Sequence, residues 1–138
     1  MCVVRHQPTA ILVPVARLMF ASIFLYYGPF NFTPGNVQLA ISAGMPMPNV
    51  LVPIGGVMAL AGAVSVVLGM YARAGGALLA LFLLPTLVVM HTFWKFEGEQ
   101  AQQQLANFLR NLSLLGGALL ITHFGAGPYS VDNRRRRR

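Results

Sequence analysis

The sequence predicts an all-α membrane protein, a four-transmembrane-helix bundle with short cytoplasmic N- and C-termini. Three observations predict it. Hydrophobic residues make up 56% of the 138 and charged residues only 9%, whereas a soluble domain carries about a quarter charged. Such a chain cannot cover a water-exposed surface. Four stretches approach the run of about 20 mostly apolar residues that crosses a bilayer core. The basic residues also gather on one side of those stretches, as orientation in a membrane demands.

The first span is expected over 9–30 and carries Arg17. An arginine at membrane depth costs about 2.5–3.5 kcal/mol on insertion scales, so its head is expected to reach toward the near boundary, to Tyr71, the Arg73 carbonyl or Asp132. This stretch lacks a small-residue cleavage site and is expected to be retained. Cys2, the single cysteine, precedes it, the wrong side for a lipoprotein site, and no intramolecular disulfide can form. Loop one, "NFTPGNVQLAISAGMPMPN", is uncharged and broken by Pro34, Gly35, Gly44, Pro46 and Pro48. Only a brief surface helix over 37–43 is expected there.

The second and third spans, 49–70 and 74–94, contain no charged residue. Small residues four apart mark their packing faces, because helices associate in lipid through close approach. These rows are Gly55, Ala59 and Ala63; Ala61, Ser65 and Gly69; and Ala72, Gly76 and Ala80. Pro85 removes a hydrogen bond to the Leu81 carbonyl and predicts a kink. That kink either widens a pocket or is filled by neighbours and Thr86. The chain then turns polar through "HTFWKFEGEQ". The stretch "GEQAQQQLANFLRN", rich in helix formers, is expected as an interfacial extension of the fourth span, 107–124. Residues 1–132 form one membrane domain and 133–138 a basic cytoplasmic tail.

Orientation follows from arginine and lysine excess on the cytoplasmic side. Both termini and the turn between spans two and three share a side that holds Arg5, Arg73 and the run Arg134, Arg135, Arg136, Arg137 and Arg138. Lys95 and Arg110 on the other side are offset by Glu97 and Glu99. Topology and contact with anionic lipid are the expected roles of Arg73 and the tail; a docking tag for a partner is the second reading of the tail. The net charge of +7 does not imply nucleic acid, since a nucleic-acid domain spreads its basic residues over a folded face.

Polar residues from three spans meet near the outer boundary: Asn31, His91, Trp94, Arg110 and Asn111, with Lys95 and Asn107. Either they form a hydrated network at the helix ends, or they border an apolar cleft that takes a quinone or a lipid. The network is the default, because the donors lie near bulk water. No intrinsic cofactor, metal site or catalytic triad is expected. His91 and His123 lie at opposite ends of the bundle, about 20 Å apart at a 1.5 Å rise per residue, so they cannot share a haem. Glu97, Glu99 and Asp132 fall outside the spans, which disfavours proton antiport.

Together "ARLMFASIFLYYG", "AGMPMPNVLVPIGG", "LAGAVSVVLGMYARAGGALLAL", "HTFWKFEG" and "NFLRNLSLLGGALLI" with "GAGPYSVD" resemble the DoxX family of small four-helix membrane proteins. Arg73, His91, Arg110, Asn111 and Asp132 fit that family's pattern. Many members carry a lysine after the first span and a glutamate in the second, where this chain has Asn31 and Ala59. The resemblance implies an inner-membrane protein linked to quinone-coupled oxidation or to complexes with soluble oxidoreductases. The resulting expectation is a non-catalytic accessory or anchor subunit of a membrane redox complex, near a quinone path. Its partners would be membrane lipids and other redox-complex subunits, with no nucleic acid. The alternatives are a quinone-reactive oxidoreductase component using His91 for proton transfer, and a small transporter.

Overall fold

A computed structural model describes residues 8–136 and 138; Cys2, Arg5 and Arg137 lie outside the described residues. All regular structure in the described residues is helical. A 3₁₀ turn, Pro8–Ile11, leads into α1, Leu12–Tyr27. A second 3₁₀ turn, Gly28–Phe32, continues it to the bundle end, where the short α2, Pro34–Ser42, starts on a proline whose missing N–H costs a helix nothing at its first turn. Next come α3, Pro48–Leu68, and α4, Ala72–Pro85. A π-helical turn, Thr86–Met90, and a 3₁₀ turn, Phe93–Lys95, extend α4. Gly98–Phe124 forms α5 and Val131–Arg136 forms α6.

Four helical segments are long and apolar enough to cross a membrane: Thr9–Phe32, Pro48–Leu68, Ala72–Lys95 and Gly98–Phe124. The all-α, four-span architecture expected from the apolar stretches is the architecture of the chain. At 1.5 Å per residue the 27-residue α5 is about 40 Å long, more than the roughly 30 Å hydrocarbon core. Its polar first turns therefore extend past the apolar band.

Packing runs α1–α3–α4–α5, with α3 and α4 each in contact with two spanning neighbours. Leu79, Leu83 and Val66 are the largest side chains sealed in the core, with Ala59, Ala63 and Ala118 around them. α3 crosses α4 closely. A Cβ on Gly75 would sit 2.6 Å from Ser65 Oγ and 3.1 Å from the Gly62 carbonyl oxygen, and one on Gly62 would sit 2.7 Å from Leu79. Here the small residues do the work expected of them, though through Gly62 and Gly75; Ala61, on one of the predicted rows, is exposed. α4 meets α5 at Gly76, where a Cβ would lie 2.9 Å from the Ala118 carbonyl. Phe20 of α1 closes over Gly117 of α5.

The end that carries the α3–α4 turn is sealed by the C-terminal segment. Gly69 ends α3 at φ 65°, and a Cβ there would run into Arg17 and Ser130, so both conformation and space require glycine. The Asp132 carboxylate accepts from the N–H groups of Tyr71 (2.8 Å) and Ala72 (3.0 Å), and its own N–H donates to the Gly69 carbonyl (2.9 Å). It thus caps α4 from 60 residues away, placing a negative charge at a helix N-terminus. Arg17 is 5% exposed and donates through Nη2 to the Tyr129 carbonyl at 2.8 Å. The expected reach toward the boundary is present, but a main-chain oxygen of the segment between α5 and α6 receives it. Arg135 lies over the Tyr71 ring, 5.3 Å from its centre, and donates to its hydroxyl at 3.2 Å.

A cavity at the α2 end of the bundle

The opposite end is open where α4 gives way. Pro85 has no N–H for the Leu81 carbonyl, and the chain responds by widening into the π-helical turn. Thr86 Oγ1 donates to the Phe82 carbonyl at 2.8 Å and satisfies part of the disturbed ladder. The helix is lost at His91, whose φ of −118° and ψ of 60° turn the chain away. A cavity of about 750 Å³ lies against this distorted stretch, bounded by α1, α2, α3 and α5. Both outcomes foreseen for Pro85 occur: the kink is partly satisfied by Thr86, and it borders a pocket.

Of the seven residues expected near this boundary, Asn31, His91, Arg110 and Asn111 line the cavity, and Lys95, Asn107 and Trp94 do not. The turns after Met90 carry Trp94 outward, where it is 57% exposed and packs edge-on against Phe93. Asn31 donates to the Gly28 carbonyl (3.3 Å) and accepts from Asn36 Nδ2 (3.1 Å), which ties the end of α1 to α2. His91 Nδ1 and Gln104 Oε1 are 3.2 Å apart, so the ring donates to the amide oxygen and keeps Nε2 free. Asn111 is 8% exposed and its amide has no hydrogen-bond partner among the described residues, while Arg110 beside it is exposed. Deeper walls are apolar, with Phe24, Val52, Ala59, Leu83 and Leu114 among them. Tyr26, Tyr27 and Phe30 form a ring cluster at the rim with centroids 4.9–6.1 Å apart.

Asn36 and Gln104 were not foreseen as part of this cluster. Both sit in stretches whose composition says only "polar helix", and their partners Asn31 and His91 are five and 13 residues away. At the other end of the bundle, Arg73, Arg134, Arg135 and Arg136 are exposed, as is Arg138. His123 is there too, against Phe124, far from His91. No group of three or more histidine, cysteine, aspartate or glutamate side chains among the described residues is placed to hold a metal ion.

Comparison with known proteins corrects the family expectation. The SURF4 family profile matches residues 40–138. Inner membrane protein YphA of Escherichia coli K12 is 33% identical over 127 residues, which covers 90% of each chain. ER-derived vesicles protein ERV29 of Saccharomyces cerevisiae is 28% identical over 80 residues, 58% of this chain and 26% of its own length. Surfeit locus protein 4 homolog of Schizosaccharomyces pombe is 30% identical over 96 residues, 68% of this chain and 31% of its own. The chain thus spans about a quarter to a third of those two yeast relatives. No solved structure matches it.

The likeness to DoxX proteins is therefore set aside. Its motifs were mostly small-residue crossings and polar helix ends, which any compact four-helix membrane bundle requires, and the lysine and glutamate of that family are absent at Asn31 and Ala59. With it goes the redox reading: the accessory subunit of a redox complex, the quinone path and a quinone-reactive His91 have no support among the relatives. By family profile over most of its length, and by a full-length bacterial relative, the chain belongs to the SURF4 family of multi-pass membrane proteins.

Proposed function

We propose that this SURF4-family chain is a membrane-embedded binding protein, without catalysis of its own, that holds one amphipathic ligand in the cavity at the α2 end. The single observation that carries the reading is the division of that cavity: hydrogen-bonding side chains at the helix ends, hydrocarbon walls further in. Its size falls within the roughly 300–1,000 Å³ of sites that enclose a small molecule. A membrane supplies such molecules in one orientation, head at the boundary and chain inward, and the cavity is polarised the same way. Lipid is the ligand class this favours.

Orientation belongs to the same proposal. Arginine excess at the end that holds Arg73 and Arg134–Arg136 supports a cytoplasmic location for that end, which turns the cavity toward the outer side. The exposed tail arginines are suited to anionic head groups there. Relatives named for the bacterial inner membrane and for ER-derived vesicles support a role common to different membranes. Titration of the purified protein with a neutral solvatochromic acyl probe tests the reading. Saturation at one probe per chain is expected, with loss of binding in Leu114→Trp, which places an indole against the cavity wall. Linear, unsaturable uptake, unchanged in Leu114→Trp, refutes it.

A further inference from the structure

The cavity is one-sided in charge. Its lining contains one permanently charged side chain, Arg110, and no carboxylate. Glu97 and Glu99 are exposed on the segment that leads into α5, and Asp132 caps α4 at the far end of the bundle. No acid pairs with Arg110 among the described residues. Asn111, the next residue along α5, is nine-tenths buried, faces the cavity and leaves its amide unpartnered. Among the described residues the buried side-chain nitrogens left without a partner are Nε and Nη1 of Arg17, at the other end; the Asn111 amide instead opens onto the cavity, where both it and Arg110 are free to bind a ligand. One ligand group answers both: an anionic head that accepts from the guanidinium and the amide together, since charge-assisted hydrogen bonds are about twice as strong as neutral ones.

Below those two donors the wall is continuous hydrocarbon, from Leu114 and Phe24 down to Ala59 and Leu83. We infer that the ligand is a single-chain anionic amphiphile, its head on Arg110 and Asn111 and its acyl chain running inward toward Ala59 and Leu83. This rests on the binding reading above and gives it a charge and a shape. A space of about 750 Å³ takes one acyl chain, so the second chain of a phospholipid would lie outside it and add little to binding. A quaternary ammonium head, which the Tyr26, Tyr27 and Phe30 rings could otherwise attract, would face Arg110.

Competition against the neutral acyl probe, with the full chain in neutral detergent, tests it. The competitors are palmitate, hexadecanol, hexadecyltrimethylammonium, a dipalmitoyl phosphatidic acid and inorganic phosphate. Palmitate is expected to displace the probe at a concentration at least tenfold lower than hexadecanol, with the ammonium and phosphate alone weaker still and the two-chain lipid no better than palmitate. Arg110→Gln, an exposed position, should bring palmitate and hexadecanol within about twofold of each other. Asn111→Leu should weaken palmitate several-fold while leaving resistance to unfolding unchanged or higher, because its amide bonds no other described residue and opens onto the cavity. A merely structural Asn111 would instead lower that resistance.

Equal potency of alcohol and acid, preference for the ammonium or the two-chain lipid, displacement by phosphate alone, or a preference that survives Arg110→Gln each overturns the inference and leaves the binding reading standing. Failure of the probe itself to saturate removes both.

Discussion

Removal of one carboxylate should loosen the end of the bundle opposite the cavity. Asp132 accepts from the main-chain N–H groups of Tyr71 and Ala72 at 2.8 and 3.0 Å. In Asp132→Ala both N–H groups lose their acceptor, with unequal consequences. Tyr71 is 63% exposed and its N–H finds water, whereas Ala72 is fully buried and its N–H is left bare. Capping substitutions cost about 0.5–2 kcal/mol, and a buried unsatisfied donor about 1–3 kcal/mol. Since only one of the two donors is stranded, the expected loss is about 2 kcal/mol. Asp132→Asn keeps one oxygen acceptor but loses the charge at the N-terminus of α4, so about half that loss is expected. The assay is unfolding in mixed micelles titrated with sodium dodecyl sulfate and followed by helicity. Wild type, Asn and Ala should rank in that order. An alanine variant within about 0.5 kcal/mol of wild type, or an asparagine variant worse than alanine, would refute the capping argument.

Other expectations follow from the same packing. Gly75→Val should cost about 1–3 kcal/mol by overpacking the α3–α4 crossing, since even a Cβ there meets Ser65 and the Gly62 carbonyl; the same unfolding assay reads it, and a neutral result would show that the crossing is loose. Pro85→Ala restores a donor to the Leu81 carbonyl and should straighten the π-helical turn, raising stability while weakening probe binding; a gain in both would separate the cavity from the kink. With Cys2 replaced by serine, a cysteine at Gln38 should be labelled from outside intact cells and one at Asn133 should not, and the reverse pattern would invert the proposed orientation.

Much of the architecture was legible because burial in lipid is set by run length and charge, both visible in the sequence. The apolar stretches ending at Phe32, Leu68, Lys95 and Phe124 announce themselves by composition. What could not be read was the rotation of each helix. Ala59, Gly62 and Ala63 look alike in sequence, yet the Gly62–Gly75 approach decides which faces meet. The Asp132 cap joins residues 60 and 61 apart, and no local periodicity reports such a contact. The polar rim was half legible. Arg110 and Asn111 reach the cavity from a regular helix, whereas Trp94 is carried outward by the irregular turns after Met90, which no spacing in the sequence reports. Family membership was misread for a related reason. Small residues and polar helix ends are physical requirements of the bundle and carry little family information.

Mass spectrometry of the protein released intact from its own membrane, with the bound species identified, tests the central claim most directly. The account predicts one single-chain anionic amphiphile per chain, retained by wild type and lost from Leu114→Trp. A chain that carries only the abundant two-chain lipids of its membrane, in their bulk proportions and equally in both proteins, would contradict it.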